Sequence, residues 1–328
     1  MSSSPRGSAS RQRLVDGFPD LRVLLIGDTI VDVYTYGEAI GKSAETPTIV
    51  AREGETKRSL GGAFLVARNV LELGAQVDFV TLVGDDEASQ FVRAFRHPQY
   101  TAHLIDDADR RTTTKKRFWV DGYKLLQFDT LDNRDLSDAL TMRVLDVLAD
   151  CIERSDVVVV SDYRHGFLTP ALARGIVGLC AEKAKMLYVD SQLSQSDANH
   201  LEYSGADIFV MNEKEARSVR PDAMDDGGNS KNLQAITATL GASGVVIKRG
   251  ADGAVGFLGG RRWPSEAAGV NAVDTCGAGD AFLAALCLSN IAEPEVALAV
   301  ANQWAGLSTL IHGTEPPQRS HLIAAVGG

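Results

Sequence analysis

The chain has 328 residues, 45% of them hydrophobic and 23% charged, which is enough to bury a large core in one α/β domain or two smaller ones. A net charge of −10 argues against a nucleic-acid or anionic-membrane partner, because either surface needs Lys and Arg in clustered excess. No apolar run reaches the roughly 18 residues of a membrane span and no hydrophobic signal core follows the polar start, so a cytoplasmic protein is expected.

Residues 1–19 open on a Ser- and Arg-rich stretch without periodicity and are expected to be a disordered tail. Order is predicted to begin at Leu21 to Ile26, an aliphatic run that reads as a buried strand ending at Gly27-Asp28. Ligands gather at the carboxyl ends of strands in an open parallel sheet, so Asp28 and Asp32 fall where a substrate would be met, although Asp28 also suits a plain turn. Alternating segments within 33–58 and 112–128, the second folded at Asp121-Gly122, predict a small sheet outside the main domain. Between them Gly61-Gly62-Ala63 opens a helix that stops at Gly74.

Further strands are predicted at Val77 to Val83, Val157 to Asp162, Met186 to Asp190, Ile208 to Asn212 and Val245 to Lys248. Helices are predicted at Pro170 to Lys183, Leu233 to Leu240 and Ala281 to Leu288, with a late one at Val296 to Leu310. Repeated βα units predict a mostly parallel sheet covered by helices on both faces. Cys151, Cys180, Cys276 and Cys287 lie far apart, without a CxxC pair or metal-like spacing, and read as reduced and mostly buried. Cys276 stands at a helix start, where a thiol pKa can be lowered.

The chemistry concentrates in Asp274-Thr275-Cys276-Gly277-Ala278-Gly279-Asp280, small residues that run directly into an apolar helix. Gly277, Ala278 and Gly279 place backbone N–H groups at a helix N-terminus, where a phosphate is stabilised. Asp280 is placed to take a proton from a hydroxyl while those donors absorb charge on a transferring phosphoryl group. A Gly turn with Asp280 merely capping the helix has the same letters. Likewise Asn212 to Glu215 reads as an N-cap and charged first turn, and Lys248 to Gly253 as a solvated turn. Lys115 and Arg117 suit exposed positions on a hairpin. A dinucleotide site is disfavoured, because Gly27-Asp28 lacks the G-x-G-x-x-G turn.

The run Asp-Thr-x-Gly-Ala-Gly-Asp at 274–280 resembles the C-terminal signature of the ribokinase-like (PfkB) sugar kinases. That resemblance implies an α/β fold, a ribokinase-like three-layer αβα sandwich over 20–328 with a β-sheet lid from about 33–58 and 112–128. It implies ATP as donor, Asp280 as catalytic base, and an anion hole from the amides of Gly277, Ala278 and Gly279. Asn212 and Glu215 would organise Mg²⁺ and its waters, a role that suits a hard cation holding few carboxylates. Asn212, Lys248, Gly250 and Gly253 would line the nucleotide site together with Gly277, Gly279 and Asn302. Asn302 and Gly313-Thr314 match places used around the adenine and a bound monovalent cation. Several members pair their lids across two subunits, so a homodimer is expected.

The N-terminal motifs narrow the resemblance. Gly27-Asp28, Asp32, Tyr34, Ser43 to Pro47, Gly61-Gly62-Ala63, Thr112 to Arg117 and Ser161-Asp162-Tyr163 are together similar to heptose 7-phosphate 1-kinases. The implied substrate contacts are Asp28, Asp32, Gly61, Gly62 and Asp274, with Lys115 and Arg117 holding the sugar's own phosphate. The likeness ends near residue 320, so a kinase domain without a following nucleotidyltransferase domain is expected. Two positions depart from the pattern: Leu65 stands where an Asn usually binds sugar hydroxyls, and Ser191-Gln192 follows Asp190 where Pro-Lys is common. Either the sugar is held differently or the substrate is another sugar; a catalytically silent nucleotide-binding relative is opposed by the intact Asp280 and Gly-Ala-Gly.

Overall fold

The computed structural model describes residues 5–194 and 198–327. The first half contains α1 (Pro5–Asp16), β1 (Arg22–Gly27), β2 (Thr29–Lys42), β3 (Ile49–Gly62), α2 (Ala63–Glu72), β4 (Gln76–Val83), α3 (Glu87–Ala94), β5 (Tyr100–Asp106), β6 (Thr114–Val120), β7 (Tyr123–Thr130) and α4 (Asp138–Arg154). The second half continues with β8 (Val157–Asp162), α5 (Pro170–Glu182), β9 (Leu187–Ser191), β10 (Ile208–Asn212), α6 (Glu213–Val219), α7 (Ser230–Leu240), β11 (Gly244–Lys248), β12 (Ala254–Leu258), β13 (Arg261–Ser265), α8 (Ala278–Cys287), α9 (Pro294–Ser308) and α10 (Arg319–Gly327).

One sheet has the order β13-β12-β11-β10-β9-β8-β1-β4-β5, parallel from β11 to β5 and antiparallel at β12 and β13. Burial on both faces explains the apolar runs. Val157 and Val159 of β8 join the core beneath α2, α8 and α9, whereas Val158 and Val160 join the opposite core beneath α4, α5 and α7. This is the expected ribokinase-like sandwich, and its parallel strands end together at Asp28, Asp162, Asp190, Asn212 and Lys248.

The second sheet, β3-β2-β6-β7, is the expected lid. β2 and β3 pair antiparallel, β6 lies parallel to β2, and β7 returns through Asp121 and Gly122, whose φ values of 50° and 81° make the left-handed turn a tight hairpin needs.

Two expectations are corrected. From Pro5 onward, the tail expected to be disordered includes helix α1 and a turn, anchored because Val15 and Phe18 enter the core and Ser8 Oγ donates to Val326 O at 2.7 Å; residues 1–4 lie outside the description. Of the four thiols, Cys276 is exposed while the other three are buried. Its pKa is raised rather than lowered, by desolvation and by the carboxylates of Asp274 and Asp280.

Candidate active site

The loop expected to bind an anion is shaped by Gly277, the N-cap of α8, whose φ of 83° is left-handed. A Cβ there would lie 2.6 Å from Leu65 Cδ2, so the loop packs closely on α2, and its left-handed backbone favours glycine. Among the described residues, the amides of Gly277 and Gly279 have no main-chain partner, while Ala278 N–H donates to Thr275 O at 3.3 Å. Two of the three expected donors therefore stand free. Lys248 lies below them: a Cβ on Gly279 would be 3.3 Å from its Nζ.

Asp280 is the third residue of α8 and does not cap it. Its Oδ1 instead accepts a hydrogen bond from the Tyr163 hydroxyl at 2.6 Å. Burial and nearby Asp190 push its carboxyl up to about 7, against the lowering effects of Tyr163 and Lys248. A carboxyl so poised exchanges protons readily near neutral pH, as a general base must. Lys248 is no solvated turn residue, since Nζ donates to Asp190 Oδ2 at 2.5 Å with the side chain only 16% exposed.

A cavity of about 550 Å³ extends from Asp280 and Gly277–Gly279 over Lys248, Gly250, Gly253 and Asn302. The volume suits a nucleotide-sized ligand. Gly253 has a φ of 81°, and a Cβ there would strike Ser265 O at 2.1 Å, so the turn above β11 closes on β13 only with glycine. Asn302 is fixed by Nδ2 donating to Ser265 Oγ at 2.9 Å. Asn212 and Glu215 form a reciprocal capping box: Glu215 N–H donates to Asn212 Oδ1 at 2.9 Å, and Asn212 N–H to Glu215 Oε2 at 2.7 Å. Both still line the cavity. With these oxygens engaged by the backbone, the pair suits Mg²⁺ held through its waters, the mode that ion favours beside phosphates.

The residues expected to meet the acceptor lie beyond Tyr163. Asp28 is 4% exposed, and its Oδ2 accepts the Tyr163 N–H at 2.9 Å; burial and Asp162 push its carboxyl up to about 7. Asp32 Oδ1 accepts from Arg117 Nη1 at 2.5 Å, and the guanidinium stacks on Tyr34 at 5.1 Å. Gly61 admits this carboxylate, since a Cβ there would lie 2.2 Å from Asp32 Oδ2, while Gly62, at φ 63°, starts α2 with Ala63 N–H donating to Asp28 O at 2.9 Å. Lys115 is part-buried on β6, and its charge helps hold the His165 pKa down. Asp274 accepts from Cys276 N–H at 2.9 Å and Gly313 N–H at 3.0 Å, so both of its oxygens brace the anion loop.

The departures acquire physical roles. Ser191 is fully buried, with Oγ in a polar cluster with Asp162 and Asn199, and Gln192 lines the 550 Å³ cavity. Leu65, 3% exposed, is the wall beneath Gly277. Asp190 and the hydroxyl of Tyr163 were not singled out as site groups by sequence reasoning. The usable signal was positional, because both stand at carboxyl ends of parallel strands.

A family model described as pfkB family carbohydrate kinase matches residues 20–320. The chain is 30% identical over 321 residues to a bifunctional protein HldE of Acidiphilium cryptum, an alignment covering 95% of this chain and 64% of that protein. It thus spans somewhat less than two thirds of that relative. An Arabidopsis thaliana ribokinase complexed with ribose and ATP superposes with a TM-score of 0.72 at 16% identity, covering 94% of this chain and 99% of that one. Phosphofructokinase-2 from Escherichia coli in complex with potassium gives 0.74 at 17% identity, covering 94% and 100%.

Proposed function

The chain belongs to the pfkB family of carbohydrate kinases, and from that premise we propose that it phosphorylates the anomeric hydroxyl of a heptose 7-phosphate with ATP. The observation that carries the chemistry is Asp280, poised near 7 between the free amides of the anion loop and the acceptor-side carboxylates. The acceptor hydroxyl gives its proton to Asp280 as its oxygen bonds to the γ-phosphorus. The bond from phosphorus to the bridging oxygen of ADP breaks, ADP departs, and Asp280 returns the proton to solvent. Gly277, Gly279 and Lys248 take up charge on the moving phosphoryl. Mg²⁺, when bound, neutralises phosphate oxygens, and Asn212 with Glu215 would hold its waters.

Lys115 and Arg117 support a phosphorylated acceptor, since they bring two cations to the lid beside Asp32 in an otherwise acidic chain. The potassium in the phosphofructokinase-2 complex supports a monovalent cation near Gly313-Thr314. A lid-to-lid homodimer is supported by the exposed apolar side chains of Tyr123, Leu125, Leu126 and Phe128 on β7.

The second reading is a kinase for another sugar phosphate. It is favoured by Leu65, which gives no hydrogen bond to a sugar hydroxyl. ADP release measured over a panel of sugar phosphates separates the two readings, with turnover on heptose 7-phosphate the expected result. Asp280→Asn should abolish turnover and keep ATP binding; undiminished turnover would remove Asp280 as base, and no turnover on any sugar by the unaltered protein would overturn the kinase reading.

A further inference from the structure

Tyr163 stands directly after β8, where the two halves of the site meet. Its N–H donates to Asp28 Oδ2 at 2.9 Å, and its hydroxyl donates to Asp280 Oδ1 at 2.6 Å. One residue thus joins an acceptor-side carboxylate through its main chain and the base through its side chain. Only the second link needs the hydroxyl.

A carboxylate has two oxygens and can turn about its Cβ–Cγ bond. With Oδ1 engaged by the phenol, that rotation is fixed and Oδ2 remains for the acceptor. The length lies within the range of a charge-assisted O–H···O⁻ bond, which is stronger than a neutral one. Burial and the Asp280 charge hold the phenol well above its ordinary pKa, so Tyr163 stays protonated and remains the donor.

We propose that Tyr163 is a positioning residue for phosphoryl transfer: its hydroxyl fixes Oδ1 of Asp280, aims Oδ2 at the acceptor, and stabilises the ionised form of the base. This rests on the reading of Asp280 as base. The other groups that face Asp280 are Asp190 from β9, Lys248 from β11 and Cys276 ahead of α8, and a change at position 163 alters none of them.

The test is Tyr163→Phe in the full chain, which keeps the ring and the N–H to Asp28. The Asp280 carboxyl is titrated by ¹³C NMR without substrate, and the pH profile of kcat/KM is recorded on the sugar phosphate that turns over. Loss of a hydrogen bond to a charged group should move both midpoints up by about one pH unit and lower kcat at pH 7 about fivefold through the smaller ionised fraction. KM for ATP should stay within about twofold, because Tyr163 makes no part of that cavity. Site-specific 3-fluorotyrosine, a stronger donor, should move the midpoints the other way, and it decides the matter if the Phe variant does not fold. Midpoints unmoved by both changes overturn the proposal. If Asp280→Asn remains active, the base reading fails instead, whereas the NMR titration still reports whether the hydrogen bond exists.

Discussion

Gly277→Ala isolates the contact on which the anion loop rests. Alanine would have to adopt a φ of 83°, and its Cβ would lie 2.6 Å from Leu65 Cδ2, well inside contact distance. Left-handed backbone costs a non-glycine residue about 1–2 kcal/mol, and overpacking a filled site typically adds about 1–3 kcal/mol. Denaturant unfolding should therefore show a loss of about 2–5 kcal/mol. Because the loop can shift to relieve the clash, its amides leave the phosphoryl position and kcat should fall at least about 100-fold, the scale of losing one oxyanion donor. Leu65→Ala supplies the control. Alone it opens a cavity costing about 2–5 kcal/mol, but combined with Gly277→Ala it removes the clash and leaves only the backbone term. The double-mutant cycle should return a favourable coupling of about 1–3 kcal/mol. A coupling near zero, or an unaltered kcat in Gly277→Ala, would show that the loop does not depend on this contact.

Away from the site, the Asp78 hydrogen bond and Cys151 raise His103 from 6.5 to about 9, so its contribution to stability is complete below pH 6.5 and is lost as pH climbs through 9. With the side chain 22% exposed, screening limits this to about 1–2 kcal/mol; unfolding free energies at pH 6 and 9.5 should differ by that much more in the unaltered protein than in His103→Gln, and equal differences would refute the linkage. Phe128→Asp puts a charge on a lid residue that is 61% exposed. Sedimentation should then show the proposed homodimer reduced to monomer, and an unchanged mass, whether dimer or monomer, counts against pairing through β7.

The sheet was legible because fully buried parallel strands are written as unbroken aliphatic runs, as in Val157 to Val160. Two of the segments missed lack that signature: β13 is Arg261–Ser265, a charged edge strand containing Pro264, and α1 is mostly polar, held by the few apolar side chains that reach the core. The same division runs through the site. Gly277 to Asp280 could be read because four consecutive residues place the proposed anion-binding amides and the proposed base at one helix start. Tyr163 and Asp280 are 117 residues apart, and Lys248 meets Asp190 across 58, so neither contact leaves a local pattern.

Asn212 shows that alternatives argued from sequence need not exclude one another. It caps α6 and also lines the cavity proposed for the nucleotide, because a helix N-terminus aimed at a cleft makes both roles available. Leu65 makes the converse point. At that position a missing Asn reads as one hydrogen bond fewer for a sugar, yet the side chain that replaces it packs against Gly277, the glycine of the proposed phosphoryl site. A substitution in the acceptor half thus constrains the donor half through packing, a coupling that composition and spacing cannot express and the Gly277–Leu65 cycle measures directly.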